Sequence, residues 1–186
     1  ACPCSSPHPC DYADRGRRPP ATTDTMFHIA SITKVITAQA AMLLVDEGRI
    51  ALDDPIAPHL DFTILGETAA AITFRHLLMH MSGISDEHYY EIDFRQRGTD
   101  ARMEIGALLR GYLSPEGRYA RAGNLKYAPG TRWDYSNIGY ALLGYLVGRI
   151  ARQDMRDLTR ERLFKPLGLG HIAWTISETP APLRAT

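Results

Sequence analysis

A mainly α fold is predicted from three observations. Residues 29–45 read I-A-S-I-T-K-V-I-T-A-Q-A-A-M-L-L-V, an apolar run with one charge, Lys34. Residues 137–151 form a second apolar segment, N-I-G-Y-A-L-L-G-Y-L-V-G-R-I-A, laced with glycines. Segments with the alternation of a strand are scarce. The chain has 186 residues, enough for one medium domain that buries roughly 70% of its unfolded surface. Its 21 basic and 21 acidic residues cancel, leaving no global field for nucleic acid or an anionic membrane. Nucleic acid is therefore not an expected partner. No uninterrupted apolar run approaches the roughly 20 residues of a membrane span, and the opening A-C-P-C-S-S-P-H-P-C lacks the apolar stretch of a signal peptide.

Taken in order, residues 1–24 carry Pro3, Pro7, Pro9, Pro19, Pro20 and the cluster R-G-R-R, and read as a disordered Pro/Cys-rich tail. Cys2, Cys4, Cys10 and His8 crowd into it. Zinc is one reading of these four, but C-x-C lacks the gap of a zinc knuckle and the prolines stiffen the backbone, so an unstructured tail is favoured. The domain proper spans 25–186. Its first helix starts at Ser31 and stops at Gly48, which suits a C′ position. A turn-rich stretch follows, then a short helix at 74–79 that ends in the turn M-S-G-I. Residues 85–132 are polar, charged and tyrosine-rich, with one helix at 102–112, and are expected as a lid-like insertion over a site. In the helix from Asn137, Gly139, Gly144 and Gly148 each cost about 1 kcal/mol against alanine, which predicts close packing in the interior. An amphipathic helix at 155–164 ends at Pro166, Gly168 and Gly170, and 172–176 is expected to be a strand.

Lys34 is the first candidate for chemistry. The helix around it is apolar nearly all the way round, which predicts a largely buried element. Burial favours the neutral amine, so a lysine there is a strained structural ion or a base. Ser31 lies three residues earlier, on the same helix face at about 5–6 Å between Cβ atoms. That spacing suits a hydroxyl nucleophile beside its proton acceptor. The bland alternative makes Ser31 an N-cap and lets Lys34 reach solvent.

A second motif answers the first. In Y-S-N, Tyr135 and Asn137 project to one side of an extended backbone while Ser136 points away. A phenol can relay a proton, and an amide can grip a substrate amide with both its donor and its acceptor. The alternative is that Asn137 caps the helix and Tyr135 packs on the core. His76 and His80 are spaced like a helical metal pair, yet H-E-x-x-H is absent, and packing or hydrogen bonding is the favoured reading for both.

The segments S-I-T-K, H-L-L-M-H-M-S-G-I, Y-A-P-G-T-R-W-D-Y-S-N-I-G-Y-A-L-L-G and L-F-K-P-L-G-L occur in this order. Together they resemble the serine β-lactamase and penicillin-binding protein superfamily, in the branch of class C β-lactamases, D-alanyl-D-alanine carboxypeptidases and related esterases. The resemblance covers about residues 26–175. It implies an α/β serine hydrolase fold acting through an acyl-enzyme on a β-lactam, a D-amino-acid peptide or a small ester, without metal or cofactor. Ser31 is then the acylated nucleophile, with its own N–H as one oxyanion donor. Lys34 is its proton-sharing partner, Tyr135 protonates the leaving group and helps activate the deacylating water, and Asn137 binds the acyl-side amide. A peptidoglycan-like or small-molecule partner and an extracytoplasmic setting are also implied.

Two features depart from that pattern. Neither K-x-G nor H-x-G follows Asn137, so the strand motif that lines the cleft in the family is missing, and no convincing strands precede Ser31. The chain is accordingly expected to be the helical portion of the fold with most of the central antiparallel sheet missing, as a fragment or a natural truncation, with impaired turnover. Two alternatives stay open: a non-catalytic penicillin-binding or sensor relative, and a helical interaction module. Without the sheet, the Ser31 helix has an uncovered apolar face, which predicts self-association.

Overall fold

The structure, a computed structural model, describes residues 12, 13, 16, 20–92 and 98–185. Cys2, Cys4, Cys10 and His8 lie outside the described residues, and with them the question of zinc in the tail.

Helix α4 (Asn137–Ala151) organises the core. Ile138, Leu142, Leu143, Leu146 and Val147 recur at helical spacing and are fully buried, forming one apolar stripe. Around it pack α1 (Thr33–Asp46), α2 (Phe74–Leu78), α3 (Ile105–Leu113) and α5 (Met155–Thr159). The glycine spacing has the expected meaning: a Cβ on Gly144 would meet Met155 Sδ at 3.0 Å, and one on Gly148 would meet the Gln153 carbonyl at 3.3 Å. The chain leaving α4 therefore folds back tightly against it. Burying the five aliphatic side chains of that stripe supplies roughly 1.5–3 kcal/mol each before entropy is counted.

Helix α1 corrects one expectation. Its inner face buries Thr37, Ala40, Ala41 and Leu44, and the alanines let α4 approach closely. Ile32, Val35 and Met42, by contrast, are 64%, 57% and 43% exposed. With Gln39 they share one face by the 3.6-residue period. An all-round apolar sequence shows that a helix could be buried on every side; which side is covered depends on neighbours that local sequence does not specify.

The short α2 is held by a reciprocal cap, in which Thr73 Oγ1 accepts from the His76 N–H at 3.3 Å and the Thr73 N–H donates to His76 Nδ1 at 3.2 Å. Residues 85–132, expected as a cover, also build the core. Leu109, Tyr112 and Leu113 of α3 are fully buried, and the buried Asn124 side chain donates to the carbonyls of Tyr112 and Tyr119, both at 2.8 Å. The helix expected at 102–112 is present as α3; the polarity of the stretch hid its place in the core.

In the C-terminal part the helix expected at 155–164 is present and the strand expected at 172–176 is not. Helix α5 continues into a π-helical turn, Arg160–Phe164. Residues 172–176 are irregular, with bends at 174–176, and not a strand. Their amides go to carboxylates instead of a ladder: Trp174 N–H to Glu178 at 2.9 Å and Ile176 N–H to Asp100 at 2.6 Å. Among the described residues no named strand forms, and isolated bridges pair Tyr12 with Pro20, Met26 with Arg184, Pro55 with Thr73 and Ile84 with Leu125. No helix among them is long and apolar enough to cross a membrane.

Candidate active site

Ser31 sits in a single 3-10 turn, Ala30–Ile32, that feeds directly into α1. Ala30 takes a φ of +45°, a left-handed conformation that costs a non-glycine residue roughly 1–2 kcal/mol. One turn later Lys34 places Nζ 3.4 Å from Ser31 Oγ and donates to Asn137 Oδ1 at 2.6 Å. From the other side the Tyr135 hydroxyl donates to Ser31 Oγ at 2.6 Å. All four residues singled out from the sequence thus meet at one point.

The amine also lies 4.8 Å from the Tyr135 ring centroid and 5.9 Å from that of Tyr140, within reach of a cation–π attraction. Lys34 is half-buried and Ser31 exposed. The pocket of apolar side chains expected around Lys34 is replaced by polar and aromatic neighbours, because α4 and the segment before it, not α1 itself, supply the surroundings. Lys34, foremost, and Ser31 hold the Tyr135 phenol below its ordinary pKa. Chemically, such a trio can move the proton off Ser31 and free its oxygen for attack.

The Y-S-N segment explains why Tyr135 and Asn137 share a side. Ser136 is extended, at φ −131° and ψ 119°, and its buried hydroxyl caps α4 by accepting the Gly139 N–H at 2.8 Å. It is Ser136, not Asn137, that caps the helix. Asn137 is left free to turn its amide toward Lys34 and, through Nδ2, toward the Tyr90 hydroxyl at 3.4 Å.

Two groups fasten that corner. His80 Nδ1 accepts the Ser136 N–H at 3.1 Å, and its ring lies 4.5 Å from that of Tyr135 and 4.7 Å from that of Tyr140. Burial, then the charge of Lys34, lowers the His80 pKa. Asp86 takes three donors: Ser136 Oγ at 2.9 Å, Asn137 N–H at 2.6 Å and Ile138 N–H at 3.1 Å. Both histidines are thus in hydrogen bonds, the favoured reading for each. Among the described residues no group of three or more His, Cys, Asp or Glu is placed to hold a metal.

Sequence reasoning missed Asp86, Tyr90 and Tyr140. Tyr140 was accessible, since it lies three residues after Asn137 on the same helix face. Asp86 and Tyr90 carry no local mark. Lys34, Asn137 and Tyr140 also line a cavity of about 800 Å3 that runs along α1 and α4 to Met155 and Trp174.

An exposed hydroxyl gripped by a phenol and an amine, on a mainly helical body, has clear relatives. The Beta-lactamase family model matches residues 8–186, and the chain belongs to that family. Penicillin-binding protein 4 of Amycolatopsis lactamdurans is 34% identical over 170 residues, covering 88% of this chain and 40% of that protein. Esterase EstB of Burkholderia gladioli is 31% identical over 172 residues, covering 89% and 43% respectively. Among solved structures, the D-amino acid amidase of Ochrobactrum anthropi SV3 aligns with a TM-score of 0.69 at 28% identity, over 94% of this chain and 46% of the other. A penicillin-binding protein from Bacillus halodurans gives 0.69 at 27% identity, over 91% and 49%. The chain therefore spans less than half the length of each of these relatives.

Proposed function

We propose that this chain carries the nucleophile half of a serine hydrolase site and forms an acyl-enzyme at Ser31 with a β-lactam, a D-amino-acid peptide or a small ester. The observation that carries this reading is the convergence of Tyr135 Oη and Lys34 Nζ on Ser31 Oγ, at 2.6 and 3.4 Å. Relatives named as an esterase, a D-amino acid amidase and penicillin-binding proteins support the hydrolase class.

In this scheme Ser31 Oγ bonds to the substrate carbonyl carbon while its proton passes to the Tyr135–Lys34 pair. Tyr135, the nearer of the two, then delivers that proton to the departing nitrogen or oxygen as its bond to carbon breaks. Water attacks the ester, gives a proton to the same pair, and Ser31 recovers it on release of the acid. Lys34 holds the phenol below its ordinary pKa, which favours its use as a proton relay. Asn137, steadied by Lys34, offers its amide to the acyl side of the substrate. Much of the central sheet and the K-T-G-type strand lie in the remainder of the fold on this reading, so turnover is expected to be weak while acylation survives.

Labelling with a fluorescent penicillin and with a fluorophosphonate tests it, with Ser31→Ala as control. Label on the wild type that is lost in Ser31→Ala is the expected result. Stable label without turnover favours a penicillin-binding or sensor role, and no label by either reagent overturns the acyl-enzyme.

A further inference from the structure

We infer that Asp86 is a positioning residue for this site: its carboxylate fixes the Y-S-N corner and thereby sets Tyr135 and Asn137 against Ser31 and Lys34. The observation is geometric. One carboxylate accepts from three consecutive residues, the Ser136 hydroxyl at 2.9 Å, the Asn137 amide at 2.6 Å and the Ile138 amide at 3.1 Å. The two amides among these donors belong to the first turn of α4, where helical partners are lacking and a negative charge is favoured. His80 Nδ1 in turn accepts the Ser136 amide at 3.1 Å. Residue 136 is thus held through both its hydroxyl and its amide, which limits the freedom of the side chains of 135 and 137.

Tight anchoring of that kind matters more for rate than for folding. A displacement of about 1 Å in a reacting group costs about 10²-fold in rate, and the two contacts at risk are the 2.6 Å ones, Tyr135 to Ser31 and Lys34 to Asn137. Asp86 touches neither Ser31 nor the amine through any of its three bonds, so its influence runs through the backbone it holds. Its negative charge, taken alone, pushes the Tyr135 pKa up, opposing Lys34. Removing the charge alone would therefore lower that pKa, whereas releasing the corner would raise it by separating the phenol from Lys34 and Ser31.

The opposite signs give the test. The kinetic arm rests on the acyl-enzyme reading; the titration arm does not. Acylation is timed with a fluorescent penicillin and with p-nitrophenyl acetate, and the Tyr135 phenol is titrated by ultraviolet difference against Tyr135→Phe. Wild type, Asp86→Ala and Asp86→Asn are compared with Val147→Ala, which loosens the far part of α4. Asp86→Ala is expected to slow acylation by about 10- to 100-fold with KM little changed, and to move the Tyr135 titration upward. Asp86→Asn, which keeps the shape, removes the charge and folds if the alanine variant does not, slows acylation by less and leaves the phenol titrating below its position in Asp86→Ala. Val147→Ala leaves both unchanged in the folded protein. A phenol that titrates lower or unmoved in Asp86→Ala overturns the inference, as does unslowed acylation in Asp86→Asn or equal slowing in Val147→Ala. Should wild type take neither probe, the acyl-enzyme reading falls while the titration still decides the role of Asp86.

Discussion

Tyr135 and Ser31, 104 positions apart, are joined oxygen to oxygen at 2.6 Å. The phenol is the shortest polar contact that the serine hydroxyl makes among the described residues, shorter than the 3.4 Å to Lys34. In the proposed scheme Tyr135 is therefore the first group to receive or return a proton at Ser31. Replacing it by phenylalanine removes the relay and leaves the ring stacked on His80. Acylation by a fluorescent penicillin is expected to fall by about 10²- to 10⁴-fold. Unfolding free energy should change by no more than about 1 kcal/mol, the worth of one hydrogen bond. Near-normal labelling in Tyr135→Phe would remove the phenol from the chemistry.

Lys34 is tested through its effect on that same phenol. Its amine is the foremost cause of the lowered Tyr135 pKa, so Lys34→Met should return the phenol toward its ordinary value near 10. In spectrophotometric titration the tyrosine that ionises earliest in wild type should merge with the others in Lys34→Met. Acylation should drop with it. An unchanged early-ionising tyrosine would mean that the amine does not act on Tyr135 in solution.

Much of this arrangement was legible in the sequence, for reasons that differ by residue. Helix α4 was clear because its leucines keep helical spacing and its glycines mark close approach. Tyr135 and Asn137 could be paired because an extended backbone alternates sides every residue, a purely local fact. Ser31 and Lys34 could be paired by the three-residue spacing for the same reason. Asp86 was illegible because its partners lie 50 to 52 positions away, and an Asp in a polar stretch looks like any solvated turn. Periodicity alone pointed to burial of α1 on all sides, because apolarity records what a helix can bury and coverage is a tertiary property; only the missing strand motif pointed to an uncovered face. Residues 172–176 misled because Ile, Trp and Thr favour strands, while two carboxylates elsewhere claimed their amides.

His80 makes stability pH-dependent in a direction that can be worked out. Its folded pKa lies below the unfolded value of 6.5, through burial first and Lys34 second. The neutral ring is thus the form that the fold prefers. Its contribution is fully present above about pH 6.5 and is lost as pH falls through the lower folded value. Full protonation also leaves Nδ1 without a lone pair for the Ser136 amide. His80→Gln should therefore show a smaller fall in Tm between pH 7.5 and pH 5 than wild type. Parallel curves for the two proteins would assign the acid sensitivity to other groups.

The bare face of α1 gives a contrast within one helix. Val35 is 57% exposed and Leu44 1%. Val35→Gln should change unfolding free energy by no more than about 0.5 kcal/mol, as for most surface positions, while Leu44→Ala should cost about 2–5 kcal/mol. Sedimentation velocity on the same pair checks the self-association expected from Ile32, Val35 and Met42. If wild type associates, Val35→Gln should weaken it; a compact monomer for both proteins counts against that expectation.

Gly83 and Gly48 both sit in the left-handed region, at φ +79° and +66°, yet alanine should affect them unequally. At Gly48 a Cβ meets nothing within 4 Å, so Gly48→Ala bears only the conformational cost, roughly 1–2 kcal/mol. At Gly83 the same atom would stand 1.9 Å from the Tyr127 carbonyl oxygen, and that oxygen is backbone, with no rotamer to escape into. Relief requires the M-S-G-I turn to part from residues 125–127. Parting breaks the 2.8 Å bond from the Lys126 amide to the Gly83 carbonyl and disturbs the bridge between Ile84 and Leu125. The loss in Gly83→Ala should therefore exceed that in Gly48→Ala by at least about 1–2 kcal/mol, the worth of one bond and its buried neighbours. Urea unfolding of the two variants measures the difference, and equal midpoints would show that the turn does not need the close approach seen at Tyr127.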